Sequence, residues 1–96
     1  MINGCWDILE KQLRGYIHDI MKKNDVPMYD VDDDTELVND RIINSLLLIT
    51  LISEIEDFLD LRVVNDDVGI DDFSTINKMI NSARRAYMAA RKCEIL

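Results

Sequence analysis

The sequence predicts a small all-α domain, a bundle of three longer helices and one short helix. Three observations favour this class: 48% of the 96 residues are hydrophobic, the chain contains one proline and three glycines, and apolar residues recur at intervals of three and four. A chain of this length has room for one hydrophobic core. We therefore treat residues 1–96 as a single domain.

The first helix is predicted from Cys5 to Lys23. Its apolar residues follow the helical period: Trp6, Leu9, Leu13, Ile17 and Ile20. The helix should end near Lys23, because the residue before Pro27 avoids the helical conformation. Residues 24–44, about twenty in number, then form an aspartate-rich loop whose scattered apolar side chains should anchor it to the core.

The second helix should begin at Ser45, with Asn44 as its N-cap, and continue to Leu59 or Asp60. One stripe of apolar residues should face the core: Leu48, Ile52, Ile55 and Leu59. The first two turns carry further apolar side chains: Leu46, Leu47, Ile49 and Leu51. Two interpretations stay open for them, burial under the long loop or an exposed docking site beside Ser45.

The last third of the chain should contain a short helix and a third long one. The acidic segment 65–73 accommodates only one or two helical turns. Ser74 or Thr75 then caps a final helix, whose apolar spacing continues as far as Ala90. Residues 84–96 form a C-terminal helical extension, in which basic side chains complement the helix dipole.

The charge balance restricts the classes of partner. Nineteen acidic residues oppose eleven basic ones, giving a formal net charge of −8. This charge disfavours nucleic acids and anionic membranes and favours basic patches on protein partners, although solubility alone is another explanation. No apolar run reaches the roughly 20 residues that span a bilayer.

We expect a cytoplasmic monomer. The two cysteines, Cys5 and Cys93, cannot form a disulfide framework, which favours a reducing compartment. The N-terminal segment carries charges and lacks the continuous apolar region of a secretory signal.

Enzyme chemistry and metal binding each lack a complete set of residues. The single histidine, His18, lies within the first predicted helix, and no Gly-x-Ser-x-Gly motif accompanies it. The segment from Asp30 to Asp34 begins like an EF-hand loop, but Thr35 stands where glycine is needed and Arg41 where a bidentate glutamate is needed. We expect neither an enzyme nor a metal site.

Ser45 is the candidate functional residue, because a hydroxyl at a helix start lies where a phosphate group is favoured. The segment from Ser45 to Val63, SLLLITLISEIEDFLDLRV, resembles the second helix of acyl carrier and peptidyl carrier proteins. Leu46 matches the leucine of the family's Asp-Ser-Leu motif. The resemblance covers roughly residues 6–83, and downstream it includes Asp66, Asp67 and the segment Phe73-Ser74-Thr75-Ile76.

The resemblance implies an acyl-carrier-like four-helix bundle with a long loop between its first two helices. It also implies that Ser45 carries 4'-phosphopantetheine, on which an acyl or aminoacyl group is held as a thioester. The implied partners are a phosphopantetheinyl transferase, an adenylate-forming ligase or acyltransferase, and a downstream acceptor enzyme, as in fatty acid biosynthesis or nonribosomal peptide synthesis. The expected docking residues are Asn44, Leu46, Leu47, Glu54, Glu56 and Asp57.

The sequence departs from the family pattern beside the serine. The usual aspartate is replaced by Asn44, and acids common early in the second helix are replaced by Leu47 and Thr50. The leucine-rich start is more similar to peptidyl and D-alanyl carriers than to fatty-acid carriers. An aminoacyl carrier is therefore one alternative, and an unmodified carrier-like interaction module is the alternative from another class.

Overall fold

The computed structural model describes residues 2–64 and 68–95, with side chains described for residues 6–64 and 68–90. Each of three α-helices packs against the other two, and these are α1 (Ile2–Lys23), α2 (Ser45–Leu59) and α3 (Ile76–Ile95). Two 3₁₀ turns lie in the connections, at Met28–Asp30 and Ile70–Phe73. The described residues contain no strand, so the prediction of an all-α class is confirmed.

The helix boundaries agree closely with the sequence pattern. Helix α2 begins and ends where its cap and apolar spacing indicate, whereas α1 begins at Ile2 rather than Cys5. The predicted short helix is a single 3₁₀ turn. Thr75, not Ser74, caps α3: its Oγ1 accepts a hydrogen bond from the backbone N–H of Lys78 over 3.0 Å.

Helices α1 and α2 end in the same way, with an aspartate in the left-handed conformation. At the end of α2, Asp60 has φ 55°, and the N–H of Leu61 donates to the carbonyl of Glu56 over 3.2 Å. At the end of α1, Asp25 has φ 63°, and the N–H of Val26 donates to the carbonyl of Met21 over 3.0 Å. Both ends are Schellman motifs, which satisfy carbonyls that have no partner within the helix.

The core lies between the three helices and is closed by the long loop. Each helix, the long loop and the second 3₁₀ turn contribute fully buried side chains. These are Leu13, Ile17 and Met21 from α1, Leu51 and Ile55 from α2, Ile76 and Met79 from α3, Leu37 from the loop and Phe73 from the 3₁₀ turn. The predicted core stripe of α2 is buried at Leu48, Ile52 and Ile55, and its last residue, Leu59, packs against the edge of the core. Leu59 is half-buried and Leu51 fully buried, because α2 faces its neighbours with Leu48, Leu51, Ile52 and Ile55.

Helices α1 and α3 are antiparallel and are joined by an aromatic contact and a hydrogen bond. The rings of Trp6 and Tyr87 lie 5.3 Å apart at one level, and Arg14 Nη2 donates to Asn77 Oδ1 over 3.2 Å at another. Arg14 also pairs with Glu10 over 3.1 Å. These contacts hold α3 in a fixed register against α1.

The long loop is tied to this bridge at its acidic segment. The Nη1 atom of Arg14 lies 3.2 Å from Asp33 Oδ2, an ion pair without hydrogen-bond alignment. Asn77 donates its backbone N–H to the carbonyl of Asp33 over 3.0 Å and its side-chain Nδ2 to Asp34 Oδ1 over 2.8 Å. The loop is therefore a structural part of the bundle, as its apolar residues predicted.

Candidate functional site

Ser45 is the first residue of α2, and its side chain is exposed. Asn44 precedes it in an extended conformation, and its Oδ1 accepts a hydrogen bond from the backbone N–H of Leu47 over 2.8 Å. The carbonyl of Asn44 accepts the N–H of Leu48 over 3.1 Å. The predicted N-cap is confirmed, and it holds the serine at the end of an ordered helix.

The loop fixes the place where α2 begins. Leu37 is fully buried, and its N–H donates to the carbonyl of Ser74 over 2.9 Å. The carbonyl of Leu37 accepts the N–H groups of Ile42 and Ile43, at 2.9 and 3.0 Å. A buried residue on each side of the turn, Leu37 and Ile43, thus holds the chain just before Asn44.

The electrostatic environment of Ser45 favours an anion. The first turn of α2 contains no acidic residue, and N–H groups at a helix start carry a partial positive charge. An open cleft joins Ser45 to Arg41, and its lining also includes Val38, Ile43 and Asn44. A phosphate on Ser45 would lie at the N-terminal end of the helix dipole, beside a cleft that Arg41 also lines.

A second cleft opens on the other side of Ser45, between α2 and the second 3₁₀ turn. It has a volume of about 220 Å³ and is lined by Val38, Asn39, Ser45, Leu48, Ile70, Asp71 and Ser74. The Oγ atom of Ser74 is buried and has no hydrogen-bond partner among the described residues. The lining of the cleft therefore combines the apolar residues Val38, Leu48 and Ile70 with polar ones, among them the acidic Asp71.

The apolar start of α2 is divided between core and surface. Leu46 is 72% exposed and Ile49 is 48% exposed, whereas Leu51 is fully buried and Leu47 half-buried. Of the two interpretations, burial under the loop is thus wrong for Leu46. An exposed apolar pair, Leu46 and Ile49, lies on the turns that follow Ser45.

Two of the three acids expected to dock partners have partners within the protein. Glu54 Oε1 accepts a hydrogen bond from the Tyr16 hydroxyl over 2.6 Å, and the Tyr16 ring stacks on Phe58 at 5.2 Å. That hydrogen bond, with burial and the nearby negative charges, raises the pKa of Tyr16 above its ordinary value. Glu54 therefore helps to join α1 to α2.

Glu56 stabilises the segment that follows α2. Its Oε2 accepts the backbone N–H groups of Val63 and Val64, at 2.9 and 3.2 Å. Asp57, in contrast, is exposed, and its carboxylate makes no hydrogen bond or ion pair with the described residues. The docking prediction stays a prediction for all three acids, but Asp57 is the one whose carboxylate is fully available to a partner.

The acidic loop segment makes hydrogen bonds within the protein. Asp32 Oδ1 accepts the N–H of Asp34 over 2.9 Å and the hydroxyl of Thr35 over 3.0 Å, which makes a local turn. Asp33 and Asp34 contact Arg14 and Asn77 as described above. No group of three or more potential metal ligands occurs among the described residues. Asp66, Asp67 and the side chains of Cys5 and Cys93 lie outside them.

Arg41 and Ser74 are the residues near Ser45 that the sequence pattern did not indicate. Arg41 has a left-handed φ of 60°, a conformation unusual for a residue other than glycine, asparagine or aspartate. Ser74 was expected only as a helix cap. A cleft residue that lies far from Ser45 in the sequence leaves no local signal, so only the folded chain brings the two serines together.

Comparisons of this chain with protein-family models, with curated proteins and with solved structures found no match. Within the part of the chain that the structure describes, no helix combines the length and apolarity needed to cross a membrane.

Proposed function

We propose that this protein is a carrier domain with an acyl-carrier-like bundle, in which Ser45 receives a 4'-phosphopantetheine arm. The observation that carries the proposal is the exposed Ser45 at the first position of α2, which shares a cleft with Arg41 and is followed by the exposed Leu46. In this proposal the chain is a substrate for other enzymes and performs no catalysis itself. When bound, the arm supplies a terminal thiol that holds an acyl or aminoacyl group as a thioester.

The modification requires a nucleophile that a second protein can reach. In the reaction, the Ser45 oxygen bonds to the phosphorus that carries pantetheine, the pyrophosphate bond of coenzyme A breaks, and the nucleotide portion leaves. A base on the transferase takes the serine proton. The exposure of Ser45 supports access, and the Asn44 cap supports a defined position for the hydroxyl.

The residues around Ser45 suit the product as well as the reaction. A phosphodiester keeps one negative charge, which the N-terminal dipole of α2 and the Arg41 side chain would both stabilise. Asn44 is uncharged and so does not repel that phosphate. The cleft beside Ser45 offers the apolar side chains of Val38, Leu48 and Ile70 to the attached group.

The proposed docking surface combines an apolar pair with an acidic flank. Leu46 and Ile49 supply exposed apolar area close to Ser45. Asp57, three turns further along the same helix, supplies an exposed negative charge that attracts a basic partner. A transferase, an adenylate-forming ligase or acyltransferase, and an acceptor enzyme would use this surface in turn.

An aminoacyl carrier is the second candidate for the cargo. It is favoured by one observation, the absence of acidic residues from the first turn of α2 and the exposed leucine in their place. Acyl and aminoacyl carriers share the same attachment chemistry. They are separated by testing fatty-acyl and amino-acid ligases on the modified protein.

The rate of transfer tests the proposal and its docking surface together. Wild-type protein should accept the arm from coenzyme A in the presence of a broad-specificity transferase, whereas Ser45→Ala should not. Asp57→Lys should slow the transfer and make it less sensitive to salt, because a favourable long-range charge is replaced by a repulsive one. No transfer to wild-type protein favours the unmodified interaction module.

A further inference from the structure

Helix α3 carries a positive charge that contrasts with the rest of the chain. The net charge of the whole chain is −8, yet the helix contains five basic residues and one acid: Lys78, Arg84, Arg85, Arg91, Lys92 and Glu94. Arg84 and Arg85 are exposed, and the side chain of neither makes an ion pair or hydrogen bond with the described residues. Two unpaired guanidinium groups are therefore available at the surface of an acidic protein.

The two arginines belong to a defined surface of the helix. They line a surface cleft of about 460 Å³ with Asn81, Met88 and Ala89. Positions 81, 84, 85 and 88 are separated by three and four residues, so they share one face of α3. We call this surface the outer face of α3.

The opposite side of the helix is already occupied. Met79, Ile80 and Ala83 are buried in the bundle, and Tyr87 packs on Trp6 of α1. The outer face thus presents a cleft with two cations, the exposed Ala89 and Met88, which is half-buried against the core. Ala89 is small enough for another backbone to approach closely.

We propose that the outer face of α3 binds an acidic amphipathic helix of a partner protein. The spacing of its residues is the spacing at which one helix packs on another, and the alanine and methionine offer contacts for apolar side chains of the incoming helix. The arginines select for carboxylates, which they bind in a two-pronged geometry.

Two other occupants fit the charges less well. A symmetric dimer through this face would place arginines of one copy against the same residues of the other. An anionic bilayer would attract two arginines but repel a protein whose net charge is −8. A carboxylate-bearing helix meets the local charge without requiring the rest of the molecule to approach a negative surface.

This interaction is independent of Ser45. The outer face of α3 is positively charged, whereas the proposed docking surface on α2 is negatively charged. It would allow one partner to stay bound at α3 while another acts at Ser45. Failure of the α3 interaction therefore leaves the proposed carrier function intact, and failure of arm attachment leaves the α3 interaction intact.

The test uses the full chain and a synthetic peptide of about 20 residues, long enough to form a helix, with glutamates flanking a leucine and alanine stripe. A matched peptide has lysine in place of every glutamate. Binding is followed by fluorescence anisotropy at low and moderate salt. Wild-type protein should bind the acidic peptide in a salt-sensitive way. The basic peptide is attracted by the net charge of −8, so charge reversal at Arg84 and Arg85 should weaken binding of the acidic peptide only.

Charge reversal locates the interaction. The double variant Arg84→Glu, Arg85→Glu should bind the acidic peptide about tenfold more weakly or worse. The control is Lys22→Glu, Lys23→Glu, which changes net charge equally at the far end of α1, about 20 Å along the bundle. This control should stay within about twofold of wild type. Circular dichroism checks folding, and Arg84→Gln, Arg85→Gln gives a milder pair if the reversal disturbs the helix.

Three results would overturn the inference. Wild-type protein could fail to bind the acidic peptide. The two double variants could also lose binding equally, which would show that net charge alone controls binding. Wild-type protein could also bind vesicles containing phosphatidylserine in preference to the acidic peptide, which would assign the face to membranes.

Discussion

The Oδ1 atom of Asn44 accepts a hydrogen bond from the backbone N–H of Leu47 over 2.8 Å. This one side chain caps α2 and thereby positions Ser45, the first residue of the helix. Replacing Asn44 with alanine removes the cap and should lower the free energy of unfolding by about 0.5 to 2 kcal/mol. Asn44→Asp keeps an acceptor and adds a charge favoured by the helix dipole, so it should equal or exceed wild type at neutral pH. Urea unfolding measures both, and equal losses in the two variants would contradict the capping role.

Glu56 should contribute to stability, whereas its neighbour Asp57 should not. Glu56→Ala leaves the N–H groups of Val63 and Val64 without their acceptor and should cost about 1 to 3 kcal/mol. Asp57→Ala should change stability by less than about 0.5 kcal/mol, because that carboxylate is exposed. Both are read from urea unfolding. A larger loss in Asp57→Ala would mean that the roles of the two acids are reversed.

Two buried serine hydroxyls, of Ser74 and Ser82, should respond differently to removal. Ser82 Oγ donates to the carbonyl of Asp72 over 3.0 Å, and Ser82→Ala should cost about 1 kcal/mol. Ser74 Oγ has no partner among the described residues, so Ser74→Ala should be neutral or slightly stabilising. Thermal unfolding compares the pair. A loss in Ser74→Ala similar to that in Ser82→Ala would show that Ser74 has a partner in solution.

Asp60 ends α2 in the left-handed conformation, where a Cβ atom is unfavourable. Asp60→Gly should therefore stabilise the protein by about 0.5 to 1 kcal/mol, because glycine adopts this conformation readily. Asp60→Ala keeps the Cβ atom and is the control, which should give no gain. Chemical unfolding of the two variants decides the matter, and a gain in both would point to removal of the negative charge instead.

The hydrogen bond from Tyr16 to Glu54 predicts a loss of stability at alkaline pH. The pKa of Tyr16 is raised in the folded state, so the hydrogen bond's contribution is complete below the unfolded value of about 10 and is lost as pH rises through the folded value. Tyr16→Phe should remove this part of the alkaline loss. Unfolding is measured over a series of alkaline pH values, with Tyr29→Phe as the control because Tyr29 is 89% exposed. Identical pH profiles for wild type and Tyr16→Phe would contradict the shift.

The sequence predicted the helices because their signals are local. The Asn44 cap, the stop before Pro27 and the spacing of three and four are all readable within a few residues. The sequence could not show which side chains in the apolar first turns of α2 are buried. Because nearly every position there is apolar, the spacing does not indicate which side of the helix faces the core. Packing against α1 and α3 decides that Leu51 is buried and Leu46 exposed.

The polar contacts between the helices and the long loop could not be predicted from the sequence, because they join distant parts of the chain. Asn77 and Asp34 are separated by 43 residues, and Tyr16 and Glu54 by 38. No short-range pattern distinguishes an acid that holds the fold from one that meets a partner. The prediction that Glu54, Glu56 and Asp57 all dock partners therefore missed the contacts that Glu54 and Glu56 make within the protein.

The most direct test of the central claim is the intact mass of the protein after incubation with coenzyme A and a broad-specificity phosphopantetheinyl transferase. The matched variants are Ser45→Ala and Ser53→Ala, because Ser53 is an exposed serine on the same helix. Wild type and Ser53→Ala should each gain one phosphopantetheine group, and Ser45→Ala should gain none. An unchanged mass in wild type, or an adduct that persists in Ser45→Ala, would contradict the assignment of Ser45 as the attachment site.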